Sequence, residues 1–159
     1  MNEQFAIAKK LAERYRSILQ GEGYAVKPAD DLNDESETAY VLKMKYEQAP
    51  VLMVFSGDDP QFVSMVIPGV FPAEYITAEL MASTVRAINT VNANTKTIKL
   101  TIREGEKPDV NVAVEFFDPI DPQAGVGSLP KATILRYLGV VRFGLDKFLQ
   151  ECEGYLGDN

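Results

Sequence analysis

From about Glu3 to Gln20 the apolar residues recur at spacings of three and four. Phe5, Ala8, Leu11, Ala12, Tyr15, Ile18 and Leu19 share one stripe, and Lys9, Lys10, Glu13, Arg14 and Arg16 take the other side. That period predicts an amphipathic helix, with Asn2 as N-cap and Gly21 as its stop. Beyond the acidic loop from Asp30 to Glu37 the period becomes two. Tyr40, Leu42, Met44 and Tyr46 alternate with Val41, Lys43, Lys45 and Glu47, which predicts a half-buried strand ending at a Gln48-Ala49-Pro50 turn. Val51 to Phe55 is apolar at every position and reads as a central strand. Gly57-Asp58-Asp59-Pro60 is a turn, Phe62 to Ile67 a third strand, and Pro68-Gly69 its end. Connections this short make the three strands an antiparallel meander.

A second helix is predicted from about Ala73 to Asn92, with Pro72 at its start and an apolar line through Ile76, Leu80, Ala87, Ile88 and Val91. Ile98, Leu100 and Ile102 alternate with Thr97, Lys99, Thr101 and Arg103. Val110, Val112, Val114 and Phe116 alternate with Asn111, Ala113, Glu115 and Phe117, so these two runs form a hairpin. The last helix runs from about Leu129 to Tyr155, with Ser128 as candidate N-cap. Ile134, Leu138, Val141, Leu145, Phe148, Cys152 and Tyr155 form a seam that suits packing on a sheet. Gly139 and Gly144 interrupt it and predict close backbone packing or bending. The order α-β-β-β-α-β-β-α gives an α+β fold with a mostly antiparallel five-stranded sheet packed by helices.

Length and charge then narrow the function. The 159 residues suffice for one domain, 1–159, with a core of its own. Sixteen basic against 23 acidic residues leave a net charge of −7, which argues against nucleic acid as a partner. Histidine is absent, which removes Ser-His-Asp and Cys-His catalysis and HExxH zinc chemistry. The lone cysteine, Cys152, cannot form an intramolecular disulfide and reads as a small buried hydrophobe. The first 20 residues lack the apolar core of a signal peptide, and no run is long and apolar enough to span a membrane, so a cytoplasmic location is expected.

Few motifs suggest chemistry. The run Asp30, Asp31, Asp34, Glu35, Glu37 lacks the glycine of a calcium loop and reads as a solvated loop. Asp58-Asp59-Pro60 and Asp118-Pro119-Ile120-Asp121-Pro122 could pair carboxylates around a cation or for acid–base work. Asp-Pro is also a turn starter whose carboxylate bonds backbone amides, and that reading is preferred. Gly125-Val126-Gly127-Ser128 could offer amides to an anion, but a plain loop is preferred because Lys131 comes too late for a phosphate loop. Thr97, Lys99, Thr101 and Arg103 make a basic stripe on one strand, either a wet outer face or a docking face for an acidic partner. The strands Val51–Phe55 and Phe62–Ile67 carry large apolar residues on both faces, more than three helices can cover, so another chain is expected to meet them.

The element order, with Asn92-Ala93-Asn94 closing the second helix before the paired strands from Thr95, resembles the YbjN-like family over Met1 to Tyr155. That family shares its fold with class I type III secretion chaperones. The resemblance implies a small cytoplasmic homodimer without a catalytic site. Secretion chaperones of this fold hold an extended segment of a secreted protein over hydrophobic patches.

The expectation is therefore a non-enzymatic protein-interaction module, without cofactor or metal, that binds a protein partner by strand addition or apolar pockets. Leu52, Val54, Met65 and Phe117 are the expected partner contacts, and Ile76, Leu80 and Ile88 the expected dimer contacts. Two alternatives stand beside it. One is a carboxylate-based ligand-binding protein or enzyme with Asp118 and Asp121 at the mouth of a pocket. The other is an immunity or antitoxin protein whose acidity matches a basic toxin.

Overall fold

In the computed structural model, which describes residues 2–71, 76–103, 105–106 and 108–156, the Asn2 side chain accepts the Gln4 amide at 2.9 Å and opens helix α1, Glu3–Gly21. The stripe of α1 is buried as its spacing requires, from Phe5 to Leu19. Six strands follow in one sheet: β1 (Lys27–Pro28), β2 (Ala39–Tyr46), β3 (Ala49–Ser56), β4 (Phe62–Ile67), β5 (Ile98–Arg103) and β6 (Asp109–Phe117). Their spatial order is β1-β2-β3-β4-β6-β5, and every pairing is antiparallel. Five strands were expected; the sixth, β1, is two residues long and too short to carry an alternation. A further pair, β7 (Ile120–Asp121) and β8 (Val126–Gly127), folds the loop after β6 back on itself.

Helix α2 (Ala78–Asn94) begins at Thr77, whose hydroxyl accepts the Leu80 amide. The expected start at Ala73, with Pro72, falls outside the described residues. Helix α3 (Lys131–Leu156) completes the chain. All three helices lie on one face of the sheet: α1 over β2 and β3, α3 over β4, β6 and β5, and α2 beside α3 against β5. The seam of α3 from Ile134 to Cys152 is buried against the strands, while Tyr155 lies outside the described side chains. Gly144 permits this packing. A Cβ there would stand 2.8 Å from Ile98 Cγ2 and 2.9 Å from Val112 Cγ1. Gly139, by contrast, faces only the Tyr46 hydroxyl, at 3.9 Å.

Two turns depart from expectation. The β2–β3 hairpin turns at Glu47-Gln48, both with positive φ (45° and 69°), and Ala49 and Pro50 belong to β3. Two-residue hairpins demand that conformation because it matches the strand twist, and here no glycine supplies it. Arg142 of α3 donates to the Glu47 carbonyl at 3.0 Å and holds the turn down. Thr97 lies before β5 rather than within it, with φ of 74°, so the basic stripe on β5 is Lys99, Thr101 and Arg103.

An asparagine side chain is bonded to the backbone at each flank of the sheet. The Asn33 amide exchanges two hydrogen bonds with the backbone of Val41 on β2 (2.7 and 3.1 Å), and Asn92 does the same with Leu100 on β5 (2.8 and 3.0 Å). Each side chain occupies the N–H and C=O of one residue that an added strand would otherwise use. Pro28, which has no N–H, further blunts β1.

Candidate functional site: the open face of the sheet

Strand alternation sends one set of side chains under the helices and the other into the open. The covered set is Tyr40, Leu42 and Met44; Val51, Met53 and Phe55; Val63, Met65 and Ile67; Ile98 and Leu100; and Val110, Val112, Val114 and Phe116, all buried. On the other face, Lys43, Leu52, Val66, Ala113 and Lys99 form one row across β2, β3, β4, β6 and β5 by their direct pairings, with Lys27 of β1 beyond Lys43. The neighbouring row is Val41, Val54, Ser64 and Glu115. Phe62 and Phe117, also directly paired, close one end with their rings edge to face at 5.4 Å and about half exposed (50% and 46%).

The face is therefore apolar in its middle and cationic at both margins. Its strands carry Lys27, Lys43, Lys45, Lys99 and Arg103 against Asp109 and Glu115, on a chain that is acidic overall. Asp31 lies 3.1 Å from Lys43 and Asp109 lies 3.4 Å from Arg103. Lys27, Lys45 and Lys99 have no ion pair among the described residues. Between β1 and β3 the face sinks into a groove of about 430 Å³, lined by Ala25, Lys27, Lys43, Lys45, Pro50 and Leu52.

Of the expected partner contacts, Leu52 and Val54 are half-buried on this face and Phe117 is exposed on it. Met65 is a correction. It points under the helices and is fully buried, because Ser64 and not Met65 shares the parity of Phe62 and Val66. Val66 and Phe62 occupy the positions it was expected to supply. The expected dimer contacts are corrected likewise: Ile76 and Ile88 are buried in the protomer's own core, and Leu80 is half-buried beside them. An α2 poor in charge is explained by its packing against both α3 and β5.

Asp118 does not stand at the mouth of a pocket but inside the protein, a correction to the expected carboxylate pair. Asp118 is 1% exposed. Its Oδ2 accepts the Tyr15 hydroxyl at 2.6 Å, and its Oδ1 accepts the Ser128 and Leu129 amides at 2.7 and 2.8 Å. Arg14 Nη1 stands 3.6 Å from Oδ2. The carboxylate thus ties α1 to the entry of α3, and a Cβ on Gly127 would strike it at 1.9 Å. Burial first, and then the bond to Asp118, push the Tyr15 phenol well above its usual range. Ser128 does not cap α3 as expected. Its hydroxyl donates to the Pro119 carbonyl, its amide to Asp118 and Pro119, and the Gly125 amide to the Asp121 carbonyl. Asp121 accepts the Gln123 amide at 2.8 Å, an ordinary Asx turn.

The acidic loop is similarly local. Asp34 accepts the Ser36 amide and hydroxyl, which lower its pKa, and Lys43 lowers that of Asp31. Among the described residues, no three metal-ligating side chains gather into a cation site, and no helix is long and apolar enough to cross a membrane. Cys152 is buried, and burial, with Glu151 adding to it, raises its thiol pKa to about 11, so the sulfur is protonated at neutral pH.

No protein-family model matches the chain, and no curated protein sequence does. Solved structures share its fold. YbjN from E. coli, described as a candidate transcription regulator, is 8% identical and superposes with a TM-score of 0.57 over 91% of this chain and 93% of that one. An uncharacterized protein from Methanothermobacter thermautotrophicus is 11% identical, with a TM-score of 0.62 over 89% of this chain and 96% of that one. The chain has a YbjN-like fold.

Proposed function

We propose that the protein is a non-catalytic interaction module, chaperone-like or regulatory, that holds a segment of a partner protein on the open face of its sheet. The observation that carries this reading is the apolar row Leu52, Val66 and Ala113, with Val54 beside it and the exposed Phe62–Phe117 pair at its end. Large exposed apolar patches rimmed by polar groups are characteristic of docking surfaces. With Asn33 and Asn92 bonded to the flanking strands, apolar docking on the face is favoured over strand addition.

The charge pattern weighs against the alternatives. A basic toxin would meet repulsion from the lysines of the open face, which disfavours an immunity-type role through this surface. Two copies apposed by the same face would set lysine margins near each other, so the reading puts homodimerisation elsewhere on the molecule. Asp118 is committed to Tyr15 and two amides, which leaves the carboxylate-enzyme reading without its main residue.

The test is site-specific photo-crosslinking in the native host, with the crosslinker at Val66 on the open face or at Val85 on the outside of α2. A partner polypeptide captured from position 66, absent from position 85, and lost when Phe117→Glu is added is the expected result. Equal capture from both positions, or capture unaffected by Phe117→Glu in a folded variant, overturns the assignment.

A further inference from the structure

The groove between β1 and β3 goes beyond a site of contact and restricts the kind of segment that fits. Lys27 and Lys43 are directly paired across β1 and β2. Opposed like charges destabilise a sheet. Lys45 lies two residues further along β2 on the same face, opposite Pro50, so three ammonium groups surround an apolar floor of Ala25, Pro50 and Leu52. Among the described residues only Lys43 has a counterion, Asp31, and that pair is solvent-exposed. Lys27 and Lys45 thus carry charge that no carboxylate among the described residues pairs, and an anionic occupant would meet it.

We propose that the groove selects an acidic, extended segment of a protein partner: carboxylates two residues apart, followed on the same side by an aliphatic side chain. This rests on the reading of the open face given above. The spacing follows from the strand. Lys43 and Lys45 are about 6.5–7 Å apart along β2, the repeat of alternate side chains in any extended peptide. Such a segment sets its carboxylates against Lys45 and Lys43 and its aliphatic group towards Val41 and Val54, the next row along the strands. Nucleic acid fits worse. A polyphosphate carries no aliphatic group for the floor, and its dense charge meets the acidic remainder of the chain more strongly than two carboxylates do.

The probe is a capped peptide of sequence SETETLTVS, compared with SQTQTLTVS by amide chemical-shift titration of the intact protein. The acidic peptide is expected to move the amides of Lys27, Lys43, Lys45 and Leu52 and to bind about fivefold more tightly than its glutamine counterpart, the scale of two exposed ion pairs. That advantage is expected to shrink as salt rises from about 50 to about 300 mM, and to vanish in the Lys43→Gln/Lys45→Gln variant. Equal binding of both peptides in the groove overturns the acidic preference but leaves the open face as the docking site. Shifts confined to α2 and α3 overturn both readings. If neither peptide binds, or if phosphatidylglycerol vesicles bind the protein while the acidic peptide does not, the peptide proposal falls.

Discussion

The two faces of this sheet are built from the same strands and differ by one residue of register. On the helix side, Val51, Met53, Phe55, Val63, Met65 and Ile67 are sealed, and each such side chain contributes roughly 1.5–3 kcal/mol by leaving water. On the open side, Leu52, Val54 and Val66 are only half-buried, and lysines stand where helices would otherwise lie. The covered face stabilises the fold; the open face keeps apolar area that the protomer itself does not use. Substitutions at neighbouring positions of one strand should therefore act on different properties.

The largest contrast is expected between Met65 and Val66. Met65→Asp places a charge under α3 with no partner and should cost more than about 4 kcal/mol, enough to unfold a protein of ordinary stability. Val66→Asp should change the unfolding free energy by no more than about 1 kcal/mol while weakening the capture of a partner. Denaturant titration checks both. Comparable losses at the two positions would mean that the open face is covered in the folded protein.

Asp118 and Glu115 repeat the contrast with carboxylates. Asp118→Ala strands the Tyr15 hydroxyl and the Leu129 amide, while the Ser128 amide keeps the Pro119 carbonyl, and should cost about 2–4 kcal/mol, against about 0.5 kcal/mol or less for Glu115→Ala on the open side. Tyr15 adds a pH signature. Its folded pKa lies above the ordinary value of about 10, so the stability it contributes is complete below that pH and is lost as pH rises beyond it. Tyr15→Phe should flatten the alkaline decline measured between about pH 9 and pH 11 without abolishing it, because burial also raises the phenols of Tyr40 and Tyr46.

These contrasts show what was legible in the sequence. Where polar residues mark one parity, as Lys43 and Lys45 do on β2 and Lys99 and Thr101 on β5, the faces could be assigned directly. Phe62 to Ile67 is nearly all apolar, so its parity rested on Ser64 alone, and Met65 was placed on the wrong face. The helical lines of α1 and α3 were clear because their polar sides are clear. On α2 and just before it, apolar residues packed into the protomer's own core have the same sequence pattern as residues awaiting a second copy, which is why Ile76 and Ile88 read as dimer contacts. The Asp118 network was only half readable. Asp-Pro announces a carboxylate bonded to amides, but that those amides sit ten and eleven residues later, and that Tyr15 joins them, depends on packing. The asparagine locks at Val41 and Leu100 were invisible for the same reason, although Asn92 stood out in the helix end.

A smaller effect with opposite signs is expected at Gly139 and Gly144 of α3. Gly144→Ala drives a methyl into Ile98 and Val112 on the covered face and should cost about 1–3 kcal/mol. Gly139→Ala meets nothing closer than the Tyr46 hydroxyl and should stabilise by up to about 1 kcal/mol through helix propensity. Thermal unfolding separates the two. A stabilising Gly144→Ala would mean that α3 does not press on β5 and β6 as described.

The smallest effect concerns the turn that sets which residues face which way. The Glu47-Gln48 loop pairs Met44 with Val51 on the covered side and Lys43 with Leu52 on the open side. A slip of one residue would exchange the faces of a strand. Both turn residues hold positive φ without glycine, a conformation that disfavours L-residues by about 1–2 kcal/mol each. Replacing the pair with Asn-Gly, the sequence such turns prefer, should raise stability by about 1 kcal/mol and the melting temperature by roughly 2–4 °C. The bond from Arg142 to the Glu47 carbonyl survives the change, because it uses only backbone at that position. Partner capture from the open face should be unchanged, since Lys43, Leu52 and Val66 keep their places. An Asn-Gly variant that is less stable, or that loses capture while remaining folded, would show that the side chains of Glu47 and Gln48, and not the register they close, matter to the open face.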